Sequence, residues 1–411
     1  TKSLNEAINC DVVIIGAGFT GLNAALELVL AGTKVVVLEA GELGVGSSGR
    51  SGGQVNIGLN LPPSALIQKF GAAQGERLVE AVKAAPDHVF NLIERFSLLC
   101  DAVRQGWVQA AASPAIFKEQ QSMANDYQQF GVDMQILSPD ELKTRTGSSS
   151  YAGGLFSNIA GSIQPLSYTR SLARVAMENG AQIFTESGVN SLQKLSNGWS
   201  VKTASGVVNA NQVLVCTNAY TQSTMNTLRK TVVPVRSILV ATEPLSQGLQ
   251  QQILPGKVTF VDKRRLILYM RYDRDGRLCV GDHGPSRDHF KLSDFDLVKK
   301  RATAAFPQLK SVKWEYHWGG RVAMTKDALP FMHEIAPGML AGMGYNGRGV
   351  AMGSLMGKLL ANQLISGQSG EMAFPMTKPD TFKLHAFHKL GVAATVSWYT
   401  LQDYLNRVGS K

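Results

Sequence analysis

The chain has 411 residues, 44% of them hydrophobic and 18% charged, so it is too long for one simple core and too apolar for disorder. Its net charge of +10 does not indicate a nucleic-acid binder, because the densest basic tracts, Lys299-Lys300-Arg301 and Lys263-Arg264-Arg265, are short and read as solvated helix or turn faces. The four cysteines, Cys10, Cys100, Cys216 and Cys279, stand too far apart for a zinc site or a disulfide framework and fit free thiols in a reducing cytoplasm. No apolar leader opens the sequence, and no apolar run approaches the roughly 18 residues of a membrane span.

In chain order, Asp11 to Ile15 (DVVII) is a β-branched run that reads as a buried parallel strand. It leads into Gly16-Ala17-Gly18-Phe19-Thr20-Gly21, which fits G-x-G-x-x-G. A helix is expected from Leu22 to Ala31, and Lys34 to Leu38 (KVVVL) forms a second strand closed by Glu39. Gly16 permits the tight turn, Gly18 lets a pyrophosphate approach the backbone, and Gly21 lets helix and strand pack closely. The helix start offers free N–H groups and its positive dipole end to phosphates, through Phe19 and Thr20. Glu39 can accept hydrogen bonds from both ribose hydroxyls and disfavours a 2′-phosphate, which argues against NADP. Together these parts specify a dinucleotide site.

A second glycine-rich stretch, Gly44 to Gln54, follows directly. Ser48, Gly49, Arg50, Ser51, Gly52 and Gly53 make another anion cradle, with Arg50 adding a charge-assisted contact. The early position of the first motif and this second cradle point to FAD. Residues 63 to 105 read as helical, Tyr168 to Met177 as a helix, Gln182 to Thr185 as a strand, and 189 to 216 as short strands ending in a buried one. From 221 to 320 the pattern is of strands: Ser237 to Thr242, Val258 to Val261, Leu266 to Arg271, Leu278 to Val280 and Lys313 to His317. Gly344-Tyr345-Asn346-Gly347-Arg348-Gly349-Val350 precedes a helix from about Ala351 to Leu364, again placing glycines at a helix N-terminus. In the tail, Trp398, Leu401, Leu405 and Val408 have helical spacing. That helix is expected to dock across the protein surface rather than lie on a membrane.

These motifs carry a family resemblance. The stretch around Ser48 to Gly53 is similar to the G-x-S-G-R-N-G-G motif of the FAD-dependent D-amino-acid oxidase/glycine oxidase superfamily, in its γ-glutamylputrescine oxidoreductase-like branch. Leu4-Asn5-Glu6, Gln164-Pro165-Leu166, Asn218-Ala219-Tyr220, Phe306 to Lys310 and Tyr399 to Leu405 resemble that branch as well. Ser51 stands where the branch usually has Asn, and Arg348 where the family usually has His. Trp318-Gly319-Gly320-Arg321 with Asp327 and Pro330 resembles the superfamily's W-x-G-x-R…D-x-x-P pattern. No cysteine lies there, so the resemblance implies non-covalent FAD.

The resemblance implies an α/β architecture, a Rossmann-type FAD-binding domain with an interleaved antiparallel-sheet substrate domain. Residues 1–62, 151–220 and 326–367 are expected to form the FAD domain, 63–150 a mainly helical segment, 221–325 the substrate domain, and 368–411 a tail. It also implies that Ala40, Val189, Thr217 and Asn218 touch the cofactor, and that Tyr269, Arg271 and Arg321 serve the substrate. Arg271 would hold a carboxylate; His283 and Arg321 are weaker candidates, and Lys263 reads as a solvated turn residue whose charge could otherwise assist the reaction with oxygen. The implied reaction is hydride transfer from an amine-bearing carbon to flavin N5, imine hydrolysis to aldehyde, and reoxidation by O2 to H2O2. The implied substrate is a γ-glutamylated diamine such as γ-glutamylputrescine. A D- or L-amino acid, a secondary amine such as sarcosine, or a glycine-like substrate is the alternative. A disulfide reductase would need a second G-x-G-x-x-G and a cysteine pair, and neither is present. A non-catalytic flavin subunit stays open.

Overall fold

The computed structural model describes residues 1–287, 289–367 and 372–408, without the side chains of Leu401 and 403–408, so the predicted apolar positions Leu401, Leu405 and Val408 fall outside the described side chains. Val12 to Ile15 and the whole of Val35–Leu38 are buried, with no face left for water. Strands of that kind must be covered on both sides, which suits the middle of a parallel sheet. Accordingly Ala7–Ile15 runs parallel between Val35–Leu38 and Val207–Val215. Gln182–Phe184 extends one side and Met339–Met343 the other, within a nine-stranded sheet.

The pleat divides this core in two. Val12 and Ile14 face the helices Phe19–Leu30, Ala72–Arg95, Pro165–Glu178 and Gly349–Ser366, whereas Val13 and Ile15 face the layer of Trp199, Val201 and Met339. Phe19–Leu30 and Gly349–Ser366 approach backbone to backbone at Gly357. A Cβ on Gly357 would sit 2.4 Å from the Thr20 carbonyl oxygen.

A second sheet of eight strands forms a roof, in the order Trp314–Met324, Val233–Pro244, Arg277–His283, Tyr269–Tyr272, Thr259–Lys263, Trp107–Ala111, Gly154–Ser157, Gln135–Leu137. It is antiparallel throughout, except where Thr259–Lys263 runs beside Trp107–Ala111. Val108, Ile238, Phe260, Met270 and Val280 point away to pack on the helix Asp296–Ala305. The alternate residues face the first sheet.

Several elements differ from the sequence expectation. Residues 107–157, read as part of a helical segment and of the FAD domain, give the roof three strands. Trp107–Ala111 joins the roof through Thr259–Lys263, far along the chain, so no local pattern announces it. The expected helix from 63 to 105 is two, Pro63–Phe70 and Ala72–Arg95, broken where Gly71 takes φ +81°. The strand expected from Leu266 starts at Tyr269, because Leu268 N–H is drawn into a turn by Asp262 Oδ1 at 2.6 Å. The strand expected to stop at His317 runs to Met324, so Trp318 to Arg321 lies within the roof. Among the described residues no helix is long and apolar enough to cross a membrane.

Candidate active site

Gly16 turns at φ +104° where the strand Ala7–Ile15 ends, and the helix Phe19–Leu30 starts three residues later. The turn is closed by backbone contact, since a Cβ on Gly21 would lie 2.0 Å from the Gly16 carbonyl oxygen. Glu39 braces it from the next strand: its Oε2 accepts from Ala17 N–H at 2.8 Å and its Oε1 from Gly41 N–H at 3.2 Å. The second glycine-rich stretch folds against the first, with Ser48 Oγ accepting from Phe19 N–H at 3.0 Å. The third arrives from the far end of the chain, where Tyr345 Oη lies 2.6 Å from Thr20 Oγ1 and Asn218 Oδ1 accepts from Gly344 N–H at 3.0 Å.

Between these loops and the roof lies one large cavity of about 1660 Å³. Of the candidate cofactor and substrate residues, all line it except Gly21, Gly49, Gly344 and Arg271. The three glycines stand behind the wall, where their bare backbones let the loops meet. The volume exceeds the roughly 300–1,000 Å³ of an ordinary small-ligand site and leaves room for a dinucleotide and a substrate together. The backbone cradle at a helix start, the bracing carboxylate and the second cradle fit FAD. Of the four cysteines, Cys216 alone lines the cavity, beside Gly16, and burial pushes its thiol up, which keeps it protonated and unreactive.

The roof presents Leu239, Tyr269, Val261 and Gln109 to the cavity, aligned across the ladder with Gly281 between Leu239 and Tyr269. Tyr269 is wedged so closely that a Cβ on Gly52 would meet its ring at 2.5 Å. Its hydroxyl lies 2.9 Å from Ser237 Oγ, which donates to the Asp282 carbonyl at 2.9 Å. Burial pushes the phenol up to about 12, so it stays protonated. Arg321 lies over the Tyr220 ring, 5.3 Å from its centre.

Arg271 takes a different place from the expected one. It is 6% exposed; its Nε donates to Gly52 O at 2.7 Å and its Nη1 to Tyr272 O at 3.0 Å. Its guanidinium therefore ties the roof to the second cradle instead of facing a substrate.

Other cations face the cavity, one of them, Lys263, where solvent was expected. Lys263, read as part of a turn, ends the strand Thr259–Lys263 on the cavity side, where burial, then the charge of Arg348, lowers its ammonium. Arg348 donates to Ile57 O at 2.7 Å, and burial lowers it too. His283 also reaches the wall, with Nδ1 2.6 Å from Asp282 Oδ1, while Asp282 Oδ2 accepts from Arg301 at 2.5 Å. Period-two alternation would have found Lys263, Gln109 and Trp107 once their strands were known. The tail contributes as well: Val392, Val396 and Tyr399 of the helix His388–Val408 line the cavity, and Arg265 lies over the Tyr399 ring at 5.6 Å.

Residues 11–363 match the model of the DAO family, described as FAD dependent oxidoreductase. The chain belongs to this family. A DAO-family chain is an FAD-dependent oxidoreductase, and FAD is its cofactor. It is 31% identical to a probable oxidoreductase, OrdL, of Haemophilus influenzae, covering 99% of this chain and 91% of that one. It is 30% identical to the γ-glutamylputrescine oxidoreductase of Escherichia coli K12, covering 88% of this chain and 85% of that protein. Glycine oxidase from Geobacillus kaustophilus shares the DAO fold with a TM-score of 0.74 at 20% identity, over 90% of this chain and 99% of that one.

Proposed function

We propose that this enzyme oxidises a primary amine whose far end carries a carboxylate, with a γ-glutamylated diamine such as γ-glutamylputrescine as substrate. The observation that carries the reading is the charge of the cavity wall. Arg236, Lys263, Arg265, Arg321, Lys326 and Arg348 line it, against two acids, Glu39 and Asp282, both already engaged by backbone N–H groups or by Arg301. Such a wall repels a bare diamine and attracts an anion. Bound FAD supplies the redox chemistry, taking hydride from the carbon that bears the amine and passing the electrons on, with O2 as the proposed acceptor and H2O2 as its product. The chain's part is to position and to exclude water. Tyr269, held neutral and bonded to Ser237, fixes the wall beside Gly52 and adds no charge. Released imine is hydrolysed by water to aldehyde and ammonia. The cysteines are all free thiols, which suits a reducing compartment and supports a place in the cytoplasm.

The relationship to the Escherichia coli enzyme supports the γ-glutamyl head, and the cavity has room for it beside FAD. The test is anaerobic: the oxidised-flavin band of the holoenzyme is followed as γ-glutamylputrescine or putrescine is added. Rapid bleaching by the first and little by the second is expected. Bleaching by glycine, sarcosine or an α-amino acid but not by γ-glutamylputrescine would replace this reading with an amino-acid or secondary-amine oxidase.

A further inference from the structure

Beyond Tyr269 the roof and the loop beneath it carry polar atoms with no partner among the described residues. Trp107 is 2% exposed, yet its indole N–H is buried without an acceptor. Asn56 Oδ1 is buried without a donor, although its Nδ2 donates to Gln54 Oε1 at 3.2 Å. The Lys263 ammonium makes no hydrogen bond or ion pair among the described residues, and Glu119 acts on it only through its field. The parallel register of Trp107–Ala111 with Thr259–Lys263 sets Trp107, Gln109, Val261 and Lys263 on one face. All four line the cavity, as do Asn56 and Arg348. Arg348 closes the group from the third glycine-rich loop by binding Ile57 O, next to Asn56.

Left alone, such a set is costly, because a buried donor or acceptor without a partner loses its hydration and gains nothing. The unmet needs are specific: an ammonium needs an anion, the indole N–H needs an oxygen, and the Asn56 oxygen needs a donor. An anion alone would leave Asn56 unmet, and a cation would face Lys263 and Arg348. One group that joins a carboxylate to a hydrogen-bond donor, with the carboxylate on the cationic side, meets all three.

We infer that Lys263, Trp107 and Asn56 form a subsite for the α-amino carboxylate head of the substrate. The carboxylate lies on Lys263 within the field of Arg348, the ammonium donates to Asn56 Oδ1, and Trp107 N–H donates to an oxygen of the head. This assignment rests on the amine-oxidase reading above and adds to it how the non-reacting end is recognised.

The test uses FAD-loaded enzyme and γ-glutamylbutylamide, which keeps the head and lacks the oxidisable terminal amine. Its affinity is measured by calorimetry for wild type, Lys263→Met, Lys263→Arg, Trp107→Phe and Asn56→Leu, each first checked for its visible FAD spectrum. Lys263→Met is expected to weaken binding about 10- to 100-fold, as loss of a charge-assisted hydrogen bond does, and Lys263→Arg to restore most of it. Trp107→Phe keeps the packed ring and is expected to cost about 3- to 10-fold. No binding by wild type, or equal binding by wild type and all the variants, would overturn the subsite. Bleaching of wild type by γ-glutamylputrescine is read in parallel. Bleaching with variant-independent probe affinity keeps the reaction and removes the subsite. Lys263-dependent probe binding without bleaching keeps the subsite and removes the reaction.

Discussion

Arg271 shows how backbone partners within the fold compete for a residue whose type invites a ligand. Its position two residues after Tyr269 puts both side chains on the cavity face of one strand, where an arginine invites a carboxylate. Two carbonyls reach it first. Gly52 O and Tyr272 O take its Nε and Nη1, and the side chain ends beneath the second cradle. Arg271→Met should therefore leave those carbonyls unpaired in a buried place, at a cost of about 1–3 kcal/mol. The expected result is a lower melting temperature and weaker FAD retention, with KM for the substrate within about twofold of wild type in the loaded fraction. A KM raised by orders of magnitude at unchanged melting temperature would return Arg271 to the substrate. Lys263 is the reverse case. Within Lys263-Arg264-Arg265 it reads as one more solvated charge, and only the ladder reveals that it faces inward while Arg264 turns toward Asp262.

At the scale of elements, legibility followed the range of the interactions. Val35–Leu38 and the turn at Gly16 are specified by neighbours in sequence, so the βαβ unit could be read residue by residue. Trp107–Ala111 could not, because its partners Thr259–Lys263 and Gly154–Ser157 are distant, and its one polar residue, Gln109, is buried against Gln120 instead of marking a wet face. Helix pairing was equally silent. The helices Ala72–Arg95 and Gly349–Ser366 trap His88 between them, and its Nε2 finds no partner. Burial, then the charge of Lys358, pushes His88 down to about 4. Because the folded value lies below the ordinary 6.5, this contribution is complete above pH 6.5 and is lost as pH falls toward 4. A shift of this size is worth on the order of 3 kcal/mol. Melting temperature should thus fall between pH 6.5 and 4 more steeply in wild type than in His88→Leu; parallel curves for the two proteins would locate acid sensitivity elsewhere.

For the whole molecule, the chain passes between the two sheets several times. Residues 7–38, 182–215 and 331–343 supply the parallel core, and the roof strands lie in the intervals. The cavity walls come from both sheets, so a ligand in the cavity contacts each of them and binds only when they are assembled. Ligand that binds the folded state alone stabilises it by RT ln(1 + [L]/Kd), about 2.7 kcal/mol at one hundred times Kd. FAD should therefore raise the unfolding midpoint in proportion to the logarithm of its free concentration. The tryptophans report the two halves, Trp199 in the layer against the first sheet and Trp107, Trp314 and Trp318 in the roof. Placed singly, with the others replaced by Phe, they should show one coincident transition that moves with FAD. If the Trp199 transition moves with FAD while the roof transition stays fixed, the sheets unfold separately and the cofactor contacts that matter lie in the first sheet alone.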